Sequence, residues 1–165
     1  MTSKFMTGLV LAALAVMPAH AGDLKLTVVG VRSDDGALMI GFYDSAAKFE
    51  KAIDASAHVG LLSDKGRLIG ATMRTRTGMQ GIGFLRLPPG RYAVIVFHDE
   101  NDNALLDMNA LGIPIEGYGF SNNASGFFSA PSFDAAAVTV GSGETSISIA
   151  LNYQVGASLR PSLRR

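Results

Sequence analysis

Polar and apolar residues alternate along much of the chain after residue 22. Leu24, Leu26 and Val28 are separated by Lys25 and Thr27, the period-two pattern of a strand with one face in a core and the other in water. This first strand ends near Gly30. Asp34-Asp35-Gly36 is a turn signal leading into a second strand over Ala37 to Tyr43, so the two are expected to form a hairpin. Ser45 to Ile53 carries helical spacing instead: Ser45 is an N-cap candidate, Phe49 and Ile53 lie four apart on one face, and Glu50 and Lys51 point outward.

Arg67 to Thr75 and Ile82 to Leu87 alternate again, with Gly78 and Gly81 between them. Pro88-Pro89-Gly90 forces a tight turn, because proline fixes φ and glycine accepts positive values. The chain then enters Tyr92 to Phe97, its most apolar strand and the expected centre of the core. From Asp99 to Phe133 there is no clear period, yet Leu111, Ile113, Tyr118, Phe120, Phe127, Phe128 and Phe133 keep the segment hydrophobic. Loops this long inside compact domains are functional or specially braced. Ala137 to Val140 and Ser146 to Tyr153, around Gly141-Ser142-Gly143, predict a closing hairpin. The sum is an all-β fold: an antiparallel two-sheet sandwich of about seven strands, immunoglobulin-like or prealbumin-like, with one long loop and one short helix.

Composition narrows the function classes. With 165 residues and 48% hydrophobic content the chain fits one core. Lysine plus arginine balance aspartate plus glutamate at 14 each, so no global field draws in nucleic acid or an anionic membrane. Cysteine is absent, which excludes disulfides, thiolate zinc sites, cysteine nucleophiles and a lipidated cysteine. Tryptophan is absent too, removing indole stacking on sugars. Lys4, the apolar run Gly8 to Met17, Pro18 and Ala19-His20-Ala21 read as a secretory signal peptide cleaved after Ala21. The run is shorter than the roughly 20 apolar residues that cross a bilayer, and no twin arginine precedes it. The expected organisation is a signal peptide over 1–21, one sandwich domain over 22–155 and a basic tail over 156–165 with Arg160, Arg164 and Arg165. Such a protein works in the periplasm or is secreted.

One segment carries ligand chemistry. Asp99, Asn101, Asn103 and Asp107 place oxygen side chains at alternate positions and then a carboxylate, with the Leu105 carbonyl between. Alternating oxygens of this kind suit calcium, which takes six to eight of them in a flexible shell. Glu116 can add a carboxylate if the chain folds back. Ala104 stands where such loops need glycine, and Ala110 where an EF-hand has its bidentate glutamate, so this is not an EF-hand. Two readings stand: a metal-braced loop, or an Asx-turn loop whose side chains satisfy their own backbone. His98 beside Asp99 invites a general-base reading, but no nucleophile elbow, zinc-protease helix or phosphate loop accompanies it. Ser121 and Ser125 lie in the long loop without a partner that the sequence identifies, and His58 reads as a surface residue. The aromatic set from Tyr118 to Phe133 is expected to pack over one end of the sandwich.

Leu87-Pro88-Pro89-Gly90-Arg91-Tyr92-Ala93-Val94, His98-Asp99-Glu100-Asn101, Leu106-Asp107 and the run Leu111 to Asn122 resemble the bacterial family called domain of unknown function 2141. The resemblance covers essentially the whole chain after residue 22. It implies a small exported bacterial protein and supplies no catalytic residues. Three functions follow as expectations. The first is a non-enzymatic sandwich whose loop, ordered by calcium, meets an envelope or extracellular protein or a glycan. The second is a hydrolase-type enzyme using His98, Asp99 and Glu116, and the third a structural envelope component.

Overall fold

The computed structural model describes residues 21–61, 69–126 and 129–154. The expected signal segment up to His20, Arg67, Phe127, Phe128 and the basic tail lie outside these. Among the described residues eight strands form, in order Gly22–Val31 (β1), Ala37–Tyr43 (β2), Ile69–Arg74 (β3), Gly78–Leu87 (β4), Gly90–Asp99 (β5), Gly117–Phe120 (β6), Val138–Val140 (β7) and Glu144–Ala150 (β8). Helix Ala46–Ser56 (α1) follows β2, and the four-residue helix Phe133–Ala136 (α2) precedes β7. One sheet runs β4-β1-β8; the other runs β3-β2-β5-β6, with β7 also on β5. The all-β sandwich expected from the alternation is therefore the fold.

Both predicted hairpins are absent. β1 pairs with β4 and β8, while β2 pairs with β3 and β5, so the Asp34-Asp35-Gly36 turn carries the chain from one sheet to the other. The reason lies in the patterns: β1 alternates, but β2 is buried at every position and needs cover on both faces. Gly36 has φ +70°, and a Cβ there would collide with the Asp99 carbonyl. Only glycine fits this crossing. At the other end β7 joins β5, and β8 lies parallel to β1, from Asp23 opposite Glu144 to Val29 opposite Ala150. The sandwich is thus mixed where an antiparallel one was expected.

Two further boundaries moved. β4 runs through Gly78 and Gly81, which read as separators; it is an edge strand with register slips opposite Leu26/Thr27 and Val29/Val31, a setting that tolerates glycine. The segment from Asp99 to Phe133 is not wholly irregular, because β6 inserts Ile95–His98 partners into the sheet. Gly117 and Gly119 hide its alternation. They are glycine for a packing reason, since the Tyr153 ring lies against Gly117 and the Ala150 carbonyl against Gly119.

The core has two compartments. Leu24, Leu26, Val28, Leu38, Ile40, Phe42, Val94, Val96 and Ile149 fill the space between the sheets. Met39, Phe49, Ala52, Ala93, Ile95, Phe97, Leu106, Phe120 and Phe133 form a second cluster on the outer face of the larger sheet. That is why β5 is apolar on every side and reads as the central strand. Phe49 of α1 meets Tyr43, Phe120 and Phe133 edge-on, with ring centroids about 6 Å apart. The aromatic residues Phe120 and Phe133 therefore cover a sheet face rather than an end of the sandwich. Ser45 occupies the N-cap position of α1 but its side chain makes no capping bond. No described helix is long and apolar enough to cross a membrane.

Candidate functional site

The last residues of β5 alternate, sending His98 toward the inter-sheet side and Asp99 toward the outer face. His98 is fully buried. Its Nε2 lies 2.7 Å from the Asp35 carbonyl and its Nδ1 2.7 Å from the Tyr153 hydroxyl. A carbonyl only accepts, so Nε2 carries a proton, and in the tautomer with that proton alone Nδ1 accepts from the Tyr153 hydroxyl. The Arg32 amide donates to the same hydroxyl at 3.3 Å. Burial pushes the Tyr153 hydroxyl up to about 12, which keeps it a donor. The Arg32 guanidinium stacks 4.4 Å from the Tyr153 ring centre and clasps both carboxylate oxygens of Glu100.

Asp99 does none of this. Its Oδ1 accepts from the Asn103 amide at 3.1 Å and its Oδ2 from the Ala104 amide at 2.7 Å. Asn101 Oδ1 also accepts from the Asn103 amide, at 3.2 Å, and Asn103 Oδ1 from the Leu105 amide at 2.8 Å. These bonds fix both side-chain amides, whose Nδ2 groups donate to the two oxygens of Asp107 at 2.8 and 3.0 Å. Asp102 and Ala104 turn the chain with φ of 58° and 63°, so Ala104 adopts the left-handed conformation for which the sequence lacks a glycine. Glu116, fully buried, accepts from the Glu100 amide at 2.8 Å and the Asp107 amide at 3.1 Å, and so ties the two ends of the loop together. Burial pushes its carboxyl up to about 7, against the pull of those two amides and with help from the charges of Asp107 and Asp99.

Asp99, Asn101, Asn103 and Asp107 thus share one loop, Leu105 contributes its amide to Asn103, and Glu116 joins through the backbone of Asp107 and Glu100. Among the described residues no three His, Asp or Glu side chains gather as a metal-holding set. His98, Asp99 and Glu116 do not converge: each is committed to different backbone or hydroxyl partners. Ser121 is equally committed, accepting from the Val94 amide at 2.8 Å and donating to the Ala136 carbonyl at 2.6 Å.

Beyond the polar loop the chain makes a short finger over residues 107–115. The Ile115 amide donates to the Asp107 carbonyl and the Asn109 amide to the Ile113 carbonyl, both at 2.9 Å, and Met108 bridges to Pro114. Asn109 Oδ1 braces the tip by accepting from the Leu111 and Ile113 amides. Leu111, at the tip, is 82% exposed. Beside the finger lies a hollow of about 500 Å³. Ile95 and Phe97 of β5, Tyr118 and Phe120 of β6, and Leu106 form its apolar lining, with Ile53 and Ser56 of α1 as a wall. Met108, Gly112, Ile113 and Pro114 belong to the finger's side, and Gly126, Ser129, Ala130 and Gln154 complete it. None of its described lining residues is charged. Cavities of this size and character take small molecules. The polar loop is legible in the sequence and the hollow is not, because the lining is gathered from α1, β5, Leu106, the finger, β6, Gly126, Ser129, Ala130 and Gln154. The one available signal was the unexplained apolar content of Met108, Leu111 and Ile113.

The two sheets, the smaller mixed and the larger antiparallel, the covered outer face and the apolar hollow under a braced finger define a β-sandwich domain with a ligand-sized recess and no assembled catalytic set among its described residues. The chain matches, over residues 26–148, a family described as an uncharacterized protein conserved in bacteria (DUF2141), and it belongs to that family, as the resemblance of its motifs implied. No curated protein and no solved structure matches it.

Proposed function

We propose that this protein is a non-catalytic binding domain, acting outside the cytoplasm, whose ligand lodges in the hollow beside the 107–115 finger. The observation that carries this reading is the recess itself: about 500 Å³, apolar, with no charged side chain among its described lining residues, and walled by separate parts of the fold. The commitment of His98, Asp99 and Glu116 to separate partners supports binding over the hydrolase reading, since a general base needs a free nitrogen or oxygen facing the substrate. The signal-like first 21 residues support an exported location. Calcium is an accessory to this reading. A cation at the polar loop would displace the Asn101 and Asn103 Nδ2 groups from Asp107 and draw on oxygens of Asp99, Asn101, Asn103, Leu105, Asp107 and Glu116, stiffening the finger's root.

The test is titration of the purified protein with the uncharged dye N-phenyl-1-naphthylamine, followed by fluorescence. Saturable, one-to-one enhancement is expected, and Phe97→Ala, which enlarges the lining, should change the affinity at least severalfold. A dye signal that never saturates, or none, overturns the reading.

A further inference from the structure

We infer that the ligand is an uncharged amphiphile with an alkyl body, such as a long-chain alcohol or amide, a conclusion that rests on the hollow being the binding site. Ile95, Phe97, Leu106 and Phe120 are each 8% exposed or less, so the inner lining is buried and apolar. Ser56 is the one polar side chain among the buried lining groups, and its hydroxyl already donates to the Ile53 carbonyl at 2.7 Å. A carboxylate or ammonium drawn into this lining would lose its water and find no opposite charge, a penalty that excludes ions from apolar sites.

The exposed lining groups differ in kind. Ser129 and Gln154 are exposed and neutral. The Ser129 hydroxyl donates to the Ala130 carbonyl and the Gln154 amide to the Tyr118 hydroxyl, both at 3.2 Å, which leaves their oxygens to accept from a head group that stays near water, and neither would pair with a full charge. The body of the ligand is read from the walls. Ile53, Leu106, Met108 and Ile113 present branched or flexible aliphatic groups, and methionine in particular adapts to an irregular chain. Apolar contact supplies the affinity and the absence of charge supplies the selectivity.

The experiment displaces N-phenyl-1-naphthylamine from the purified protein at neutral pH with three decyl compounds: decanol below its solubility limit, and decanoate and decylammonium below their micelle concentrations. Decanol is expected to bind at least tenfold more tightly than either ion. Ile113→Asp puts a charge on the lining at a half-exposed finger position and should weaken decanol at least tenfold. Leu111→Asp, at the tip and outside the lining, should leave it unchanged, and circular dichroism of both variants should match the parent. Equal binding of all three compounds, preference for an ion, or equal loss in both variants overturns the ligand class. So does dye that binds saturably but yields to none of the three, a result that leaves the hollow standing as a site. Failure of the dye itself sinks the site and the ligand class together.

Discussion

Glu116 holds the root of the finger with both carboxyl oxygens while buried from water, and these two demands oppose each other. Its carboxyl sits at about 7 in the folded protein against an ordinary value of 4.5, so the native state binds the proton more tightly than the unfolded chain. The resulting stabilisation is fully present below pH 4.5 and is lost as pH rises through 7, by roughly 3 kcal/mol in all. Denaturant melts in chelator between pH 4.5 and 7.5 should show that decline, and Glu116→Gln should flatten it; an unchanged slope in the variant would assign it to other groups. Residue-scale chemistry was legible where a side chain bonds its own neighbours. Asp99, Asn101 and Asn103 read as an oxygen-rich loop because their acceptors serve residues 103–105. Glu116 read as a further carboxylate for the loop or for a catalytic set, and not as a brace, because that role depends on the Glu100 amide sixteen positions earlier.

At the scale of elements, the polar loop and the finger behave as one unit whose internal bonds run between residues 99 and 116. The structure shows that unit closed by its own amides, and the calcium proposal adds a second state, drawn around a cation. Thermal melts with calcium, with magnesium and with neither distinguish them. At a hundredfold excess over the dissociation constant, calcium bound only to the native state adds about 2.7 kcal/mol, a rise of roughly 5 to 10 °C for a domain of this size. The rise should vanish in an Asp99→Ala/Asp107→Ala variant, and identical melts in all three buffers would leave the loop braced by hydrogen bonds alone. Elements announced themselves when their pattern was unbroken, as β2 and β5 did. β6 did not, because Gly117 and Gly119 make room for Tyr153 and Ala150 and so erase the apolar alternation that marks a strand.

At the scale of the whole molecule the pairing of strands was the least legible feature. A turn signal such as Asp34-Asp35-Gly36 says that the chain reverses, not that the flanking strands hydrogen-bond to each other. The sheets are joined instead by contacts distant in sequence, and the turn Ser121–Asn123 is the clearest of them. Asn122 Nδ2 donates to the Ala135 and Ala137 carbonyls beside α2, Asn123 bonds the Ser148 carbonyl and Ala150 amide of β8, and Ser121 links β5 to α2. Asn122 and Asn123 both adopt positive φ, which asparagine accepts more readily than most residues. Ser121→Ala leaves the buried Val94 amide and Ala136 carbonyl without this partner. The expected cost is about 2 to 4 kcal/mol, seen as a lower midpoint in urea with an unchanged slope; a loss under 0.5 kcal/mol would show that another group or water replaces the hydroxyl.

The finger is anchored only at its base. Residues 108–114 contribute none of the bonds made by Asp99, Asn101, Asn103, Asp107 and Glu116, and their own bonds stay within the finger. A change of side chain at Leu111 therefore leaves intact both the hydrogen bonds at the root of the loop and those that shape the finger, because the tip supplies them with backbone alone.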